Sequence, residues 1–185
     1  MSAVPQAYRL GYADWLRLPD DGRLCELLEG ELFLAPPPSI AHQRASRNVE
    51  LRLAEHLRAT GAGEVLYAPV GVRLSDDTVL EPDLVVVLRE HADRVGTQAI
   101  EGPPDLVVEV LSPGTAQRDL GRKRELYERH GVPEYWIVDP EARTIEVLVL
   151  TAGAYRRAGL YGVGDHLRCT VLPSFELPVA DAFAP

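Results

Sequence analysis

The spacing of apolar residues predicts one long amphipathic helix in the first third of the chain. Four of them recur at helical intervals and would share one face: Ala45, Val49, Leu53 and Leu57. Ser39 can cap the start of this helix, and Gly61 follows its end. We therefore expect a helix that runs from Ser39 to about Ala59.

Runs of valine and leucine predict the strands of a sheet. Two near-continuous runs, 79–88 and 105–111, are typical of strands that are covered on both faces. Shorter strands are predicted in six further segments: 24–28, 31–35, 64–67, 70–74, 134–138 and 144–150. The first two would form a hairpin that turns at Glu29-Gly30. The remaining C-terminal tail is expected to hold short strands and coil.

Two more helices complete the predicted elements. A short amphipathic helix is expected around 12–18, and a longer one from Ala116, capped by Thr115, to about His130. The order helix, strands, helix, strand predicts a mixed central β-sheet flanked by helices, in the α/β or α+β class.

A chain of 185 residues has the length of one domain. We therefore predict a single domain over 1–185, made of three parts. These are an N-terminal helix and hairpin extension (1–38), a core (39–139), and a C-terminal hairpin with a tail (140–185).

The composition is that of a globular protein with an acidic surplus. Hydrophobic residues make up 46% and charged residues 25%, and 19 Lys and Arg against 28 Asp and Glu give a net charge of −9. This balance is unfavourable for binding a polyphosphate, which normally uses clustered cations. Five basic residues nevertheless concentrate in the second long helix: Arg118, Arg122, Lys123, Arg124 and Arg129.

Nothing in the sequence predicts a membrane or an export route. No apolar run approaches the ~20 residues that span a bilayer, and the N-terminus lacks an apolar signal segment. Cys25 and Cys169 lie far apart and form no CxxC motif. They are expected to be thiols, with a disulfide as the alternative, and we expect a cytoplasmic protein.

Acidic residues inside the two apolar strands are the main functional signal. Buried charge is costly unless it is paired or binds a metal. Asp105 and Glu109 lie on one face of a strand but ~13 Å apart along it, too far for both to bind one ion. Asp83 can meet Glu109 if their two strands pair side by side. The geometry therefore favours Asp83 with Glu109, either as a metal site or as strand-end acids satisfied by backbone or arginine.

Lys123 is the expected cationic partner of these two acids. A helix that begins just after the Glu109 strand can pack back over the end of that strand. Asp119 and Lys123 are four residues apart and would be neighbours on this helix, with Tyr127 on the same face. The alternative is an ion pair between Asp119 and Lys123 on an exposed helix, which is worth only ~0.3–0.5 kcal/mol.

Several segments together resemble the Uma2 family (DUF820) of the restriction-endonuclease-like PD-(D/E)xK nuclease superfamily. They are Glu26-Leu27-Leu28-Glu29-Gly30-Glu31-Leu32, His42, Glu109-Val110-Leu111-Ser112-Pro113, the Asp119, Lys123 and Tyr127 pattern, and the run from Gly131 to Asp139. The resemblance covers most of the chain. It implies a core of helix, three-stranded antiparallel sheet, helix and strand.

The resemblance also implies a Mg²⁺ or Mn²⁺ site. It assigns Asp83 and Glu109 to the two acids of the signature, with the Val110 carbonyl as a further metal ligand. The lysine of the superfamily would stand at Leu111, so the resemblance implies that Lys123 replaces it from the next helix. Glu26, His42 and Asp119 are candidate supporting residues.

Two functions are compatible with these features. The first is a metal-dependent nuclease acting through Asp83, Glu109 and Lys123, with DNA a more expected substrate than RNA. The second is a non-catalytic binding or assembly module that keeps the nuclease fold, which the charge of −9 and the leucine at 111 favour. The sequence leaves a homodimer open.

Overall fold

The computed structural model describes residues 9–19, 23–112 and 119–185, with Asp119 described by its backbone alone. The predicted cap at Thr115, the helix start at Ala116 and Arg118 lie outside these residues. Among the described helices none is long and apolar enough to cross a membrane.

The predicted long helix is confirmed. After a short first helix, α1 (Tyr12–Trp15), the helix α2 spans Ile40–Thr60. The Ser39 hydroxyl accepts a hydrogen bond from the backbone N–H of His42, and Gly61 closes the helix in the left-handed conformation. The four residues predicted to share its apolar face are all buried: Ala45, Val49, Leu53 and Leu57.

A six-stranded sheet forms the centre of the molecule. Its strands are β3 (Gly63–Tyr67), β6 (Leu84–Leu88), β8 (Leu106–Val110), β9 (Glu134–Asp139), β10 (Thr144–Thr151) and β11 (Ala154–Gly162). They are ordered β11-β10-β9-β8-β6-β3, with β8 and β9 parallel and the other neighbours antiparallel. Helix α2, the antiparallel strands β3, β6 and β8, then a helix and β9 reproduce the core order expected from the resemblance.

A second, five-stranded sheet packs beside the first. It holds β1 (Cys25–Leu28), β2 (Glu31–Leu34), β4 (Gly71–Ser75), β5 (Thr78–Leu80) and β7 (Ala99–Glu101), ordered β2-β1-β5-β4-β7. The predicted hairpin at 24–35 is confirmed as β1 and β2. This hairpin shares a sheet with β4, β5 and β7, which lie within the predicted core. The division of the domain into an N-terminal extension and a core stays a prediction.

The single strand predicted over 79–88 is wrong. It is two strands, β5 and β6, which belong to different sheets. Pro82 stands between them, and a proline has no N–H to give to a sheet ladder. The chain therefore crosses from one sheet to the other over Glu81-Pro82-Asp83. The connector after β6, where no element was predicted, contains a 3₁₀ helix at Arg89–Arg94 and β7.

The second long helix differs from the prediction. Residues Asp119–Lys123 form a π-helix, and an α-helix, α3, follows over Arg124–His130 and ends at Gly131. A π-helical turn carries one residue more than an α-helical turn and is frequent at functional sites. Lys123 is the residue at which the π-helix passes into α3.

The C-terminal tail is more ordered than predicted. It begins with the nine-residue edge strand β11, continues through the hairpin of β12 (His166–Arg168) and β13 (Glu176–Pro178), and ends in the short helix α4 (Val179–Ala182). Apolar residues of this tail pack with α2 on one face of the six-stranded sheet, and α3 and the five-stranded sheet cover the other. The strands β6 and β8 are thus covered on both faces, as their valine runs predict.

Hydrogen bonds of the buried Glu134 connect the C-terminal tail to the six-stranded sheet. Its Oε1 accepts a hydrogen bond from the Trp136 indole at 2.6 Å, and its Oε2 accepts the backbone N–H groups of Thr170 at 2.7 Å and Val171 at 3.0 Å. All three partners are donors, so a carboxylate, which only accepts, is the side chain that fits here.

Replacing Glu134 by glutamine is expected to lower the free energy of unfolding by about 1–3 kcal/mol. The amide nitrogen of glutamine would face a donor in a buried place, which leaves one polar group unsatisfied. Urea unfolding of both proteins measures the change. The matched control is Glu176→Gln, whose side chain is 49% exposed beside Arg168, and which should change stability by less than about 0.5 kcal/mol. Equal stability of Glu134→Gln and Glu176→Gln would contradict this role.

Candidate active site

Asp83, Glu109 and Lys123 line one small cavity. It has a volume of about 40 Å³ and is also lined by Glu26 of β1 and by His42 near the start of α2. A water molecule occupies ~30 Å³ of bulk liquid, so the cavity can hold an ion or one or two water molecules. Three residues that lie far apart in the sequence therefore line one cavity.

Strand pairing brings Asp83 to the part of the sheet that holds Glu109. Strands β6 and β8 are antiparallel, and Leu84 opposite Val108 is their last aligned pair. Asp83 directly precedes β6, and Glu109 directly follows Val108 on β8. The pairing of these two strands, which the sequence analysis assumed, is confirmed, and both acidic residues line the same cavity.

One carboxylate oxygen of Asp83 contacts two different elements of the fold. Oδ2 accepts a hydrogen bond from the backbone N–H of Val110 at 2.7 Å and lies 3.2 Å from His42 Nε2. The carboxylate is therefore anchored to β8 and to α2 at the same time.

Glu109 is held by two donors from the helical segment. Its Oε1 accepts hydrogen bonds from Lys123 Nζ at 2.7 Å and from the Tyr127 hydroxyl at 2.8 Å. Burial raises the pKa of the Tyr127 phenol, and the charge of Glu109 raises it further, so the hydroxyl remains a donor. Lys123 is only 4% exposed. Lys123 therefore does not lie on an exposed helix, and the alternative ion pair with Asp119 involves a side chain outside the described residues.

Glu26 supplies a third carboxylate to the cavity from the other sheet. Its Oε1 lies 2.8 Å from Lys123 Nζ and accepts the backbone N–H of Glu81 at 3.1 Å. Lys123 thus bridges Glu26 of β1 and Glu109 of β8. The lysine is fixed by carboxylates from both sheets.

The side chain of Glu81 adds a fourth carboxyl group. Burial raises its pKa to about 7, and the neighbouring charge of Glu26 raises it too, while the Cys25 N–H and Lys123 act in the opposite direction. Near pH 7 the carboxyl group of Glu81 is therefore partly neutral, and it lines the cavity together with the carboxylates of Glu26, Asp83 and Glu109. These three buried carboxylates outnumber the one permanent cation, Lys123, and such an acidic surplus favours a bound cation.

The cavity is lined by residues with oxygen donors of the kind that a hard divalent ion uses. Within the described residues no three His, Cys, Asp or Glu side chains form a metal-binding group. Mg²⁺ is commonly held by one or two carboxylates, with water and substrate phosphate completing its shell. Asp83, Glu109 and Val110 are the lining residues that carry the donors expected from the sequence.

His42 lies in the cavity, with one ring nitrogen engaged. Its Nε2 contacts Asp83, whereas its Nδ1 is buried and makes no hydrogen bond within the described part of the chain. A buried polar atom without a partner is uncommon in native proteins. A water molecule or the hydration shell of an ion in the cavity would satisfy it.

Other candidates from the sequence lie elsewhere. Asp105 is buried, and its Oδ2 accepts a hydrogen bond from the backbone N–H of Leu88 at 2.8 Å. Its Oδ1 lies 2.7 Å from His91 Nδ1. Asp105 thus stabilises the segment that follows β6 and lies outside the cavity. The side chain of Asp119 is outside the described residues. Leu111, where the superfamily places its lysine, packs against the core on the α3 side of the sheet.

Two of the basic residues predicted near Lys123 are engaged in ion pairs. Arg122 pairs with Glu29 at 3.4 Å and Glu31 at 2.9 Å, and Arg129 pairs with Glu29 at 2.6 Å. These arginines bind the β1–β2 hairpin to the helical segment.

Glu81 and Tyr127 contribute more to the cavity than the sequence indicated. Tyr127 was recognisable as a neighbour of Lys123 on one helical face. No sequence pattern marked Glu81. Its side chain reaches the cavity only because the chain passes from one sheet to the other at Pro82.

Comparisons with known proteins agree with the architecture. The profile of the Uma2 family, described as "Putative restriction endonuclease", matches residues 12–180. A crystal structure of a putative nuclease belonging to DUF820 from Anabaena variabilis is similar, with a TM-score of 0.78 and 18% sequence identity. The match covers 94% of this chain and 97% of that one. No curated protein matches the chain.

Proposed function

This chain belongs to the Uma2 family, and from that premise we propose that it is a metal-dependent nuclease. It would hydrolyse phosphodiester bonds of nucleic acid, with DNA as the first substrate class to examine. The proposal rests on one observation: Asp83, Glu109 and Lys123 line the same small cavity. Family membership supplies the reaction class, and the cavity supplies the residues.

Asp83, Glu109 and the Val110 carbonyl would hold Mg²⁺ or Mn²⁺. When bound, such an ion lowers the pKa of a water molecule and stabilises negative charge on a phosphoryl group. Oxygen ligands of this kind suit both ions.

The buried position of Lys123 gives it a defined role. Its ammonium group is held between Glu26 and Glu109, within 2.8 Å of each, so it is positioned beside the proposed metal ligands. From there it can donate a hydrogen bond to a phosphate oxygen or to the attacking water. A fixed charge in a site with little water stabilises developing negative charge more strongly than a charge in bulk solvent.

Glu26 and Tyr127 would keep the reacting groups in place. Glu26 restricts the lysine from the side of β1, and Tyr127 restricts the orientation of the Glu109 carboxylate. Side chains locked in this way need little rearrangement as the reaction proceeds.

The assembly module remains the second candidate, and one observation favours it. Arg122 and Arg129 are engaged by hairpin acids, so the chain of net charge −9 lacks an obvious phosphate-binding row among its described residues. Metal binding separates the two candidates, because a module without catalysis has no need for an ion that depends on Glu109.

Mn²⁺ is expected to raise the melting temperature of the full chain, and this stabilisation should require Glu109. A ligand at 100 times its dissociation constant stabilises a protein by ~2.7 kcal/mol, which corresponds to ~5–10 °C for a domain of this size. Thermal melting with increasing Mn²⁺, beside an EDTA sample, measures the shift. Glu109→Gln should lose it, whereas the control Glu55→Gln, whose side chain is 74% exposed on α2, should keep it.

The cleavage experiment uses the same protein preparations. End-labelled single-stranded and duplex DNA and RNA are incubated with Mg²⁺, Mn²⁺ or EDTA. Metal-dependent cleavage supports the nuclease. A chain that shows no Mn²⁺ stabilisation dependent on Glu109 and cleaves none of these substrates would instead support the module.

A further inference from the structure

A groove of about 480 Å³ opens directly beside the candidate active site. It shares four lining residues with the small cavity: Leu24, Pro38, His42 and Asp83. Its volume falls within the ~300–1,000 Å³ of sites that hold one small ligand. The groove is therefore continuous with the catalytic cavity and has room for a nucleotide but not for a turn of duplex.

One wall of the groove is a polar face of α2. Gln43, Ser46, Arg47 and Glu50 line it, and their spacing of three and four residues places them on one side of the helix. Together they offer both hydrogen-bond donors and acceptors. A mixed set of this kind can bond to the edge of a nucleobase, whereas a phosphate-binding wall would be made of donors and cations.

The exposed aromatic residue Tyr67 also lines the groove. It is the last residue of β3, an edge strand of the six-stranded sheet, and it is 67% exposed. Two other aromatic residues of the central sheet, Tyr135 and Trp136, are by contrast completely buried. An accessible ring beside a polar groove is the arrangement on which bases stack in proteins that bind single strands.

The charges around the groove disfavour a duplex. Among the described residues that line it, Arg47 is the one permanently charged cation, and its guanidinium bonds to the Asn48 side chain at 3.0 Å. Glu50 and Asp83 are acidic. A protein that follows a duplex backbone needs several phosphate contacts from Lys or Arg, which this surface does not present.

We propose that the groove binds one unpaired nucleotide next to the bond that is cleaved, with its base stacked on Tyr67. The inference rests on the proposed nuclease function, and it assigns the substrate class as single-stranded nucleic acid or an unpaired end.

The test is a binding measurement that does not need cleavage. Fluorescein-labelled single-stranded and duplex oligonucleotides of the same sequence are titrated with the full chain in EDTA and in Ca²⁺, and anisotropy is recorded. We expect the single strand to bind more tightly than the duplex. Tyr67→Ala should weaken single-strand binding by about 5-fold to 150-fold, the range found when one stacked base is lost. Tyr67→Phe, which keeps the ring, should bind like wild type.

A second readout reports stacking itself. An oligonucleotide with 2-aminopurine should lose fluorescence on binding wild type and Tyr67→Phe, and lose less on binding Tyr67→Ala. Leu160→Ala, at a strand residue 56% exposed and away from the groove, is the folding control.

The outcomes separate this inference from the nuclease proposal. Tighter binding of duplex, no binding of either oligonucleotide, or equal binding by wild type and Tyr67→Ala would overturn the subsite. If metal-dependent cleavage accompanied any of these results, the nuclease proposal would still be supported. Binding of the single strand that depends on the Tyr67 ring, without cleavage under any metal, would support the subsite and reject the nuclease.

Discussion

Replacing Asp83 by asparagine is expected to lower the rate of Mn²⁺-dependent cleavage by about 10³-fold or more. A bound ion contributes several kcal/mol to the stabilisation of the transition state, and each 1.36 kcal/mol corresponds to a factor of ten in rate. The asparagine oxygen can still accept the N–H of Val110, which Asp83 Oδ2 accepts now, so the strand connection should survive. What is lost is the negative charge that would bind the ion. Initial rates on an end-labelled oligonucleotide, with thermal melting of the same samples, measure both effects.

The sequence provides a matched control for this substitution. Asp105 follows a proline and precedes Leu-Val-Val, as Asp83 does, but its carboxylate binds His91 and the N–H of Leu88 away from the cavity. Asp105→Asn is expected to lower stability while changing the cleavage rate by less than about threefold, an estimate that follows from its place outside the site. If Asp83→Asn kept more than a tenth of the wild-type rate, Asp83 would not be a metal ligand.

Lys123→Met is expected to destabilise the protein by about 3–5 kcal/mol and to abolish cleavage. The methionine leaves Glu26 and Glu109, each 3% exposed, as buried carboxylates without their shared cation. Removing one partner of a buried ion pair costs about that amount, because the remaining charge is uncompensated. Urea unfolding at neutral pH measures the loss. A change smaller than about 1 kcal/mol would show that Lys123 is not the partner of these acids.

A second substitution separates stability from catalysis at this position. Adding Glu26→Gln to Lys123→Met removes one of the two uncompensated charges, so the double variant should be more stable than Lys123→Met alone. The difference from additivity reports the coupling between the two side chains. Cleavage should remain absent in the double variant, because neither change restores a cation. Recovered cleavage would place the essential cation elsewhere.

The alternation of side chains along strands explains how far the acids could be placed from the sequence. The strand period separates Asp105 from Glu109. The two strands pair as the sequence analysis assumed, and Asp83 and Glu109 line one cavity. Their joint binding of an ion stays a prediction. The placement of Lys123 followed from a helix that starts after β8 and must pack over it. The apolar face of α2 was also predictable from the sequence. Its four residues recur at helical spacing within one segment: Ala45, Val49, Leu53 and Leu57.

Features that depend on distant segments were not predictable in this way. The run over 79–88 looks continuous because valine and leucine stand on both sides of Pro82, and which sheet each half joins is decided by partners elsewhere. The role of Glu26 depends on the pairing of β1 with β5, whose aligned residues are Leu27 and Val79. The nine-residue strand β11 carries arginine and glycine where a strand would favour β-branched residues, and it forms because β10 pairs along its length.

The crossing at Glu81-Pro82-Asp83 limits how the family can vary in length. Glu81 faces the cavity just as the chain leaves one sheet, and Asp83 faces it as the chain joins the other. One added or deleted residue here would turn one of these carboxyl groups away from the cavity, since adjacent positions of an extended chain point in opposite directions. Natural homologues should therefore keep three residues between β5 and β6 at this crossing.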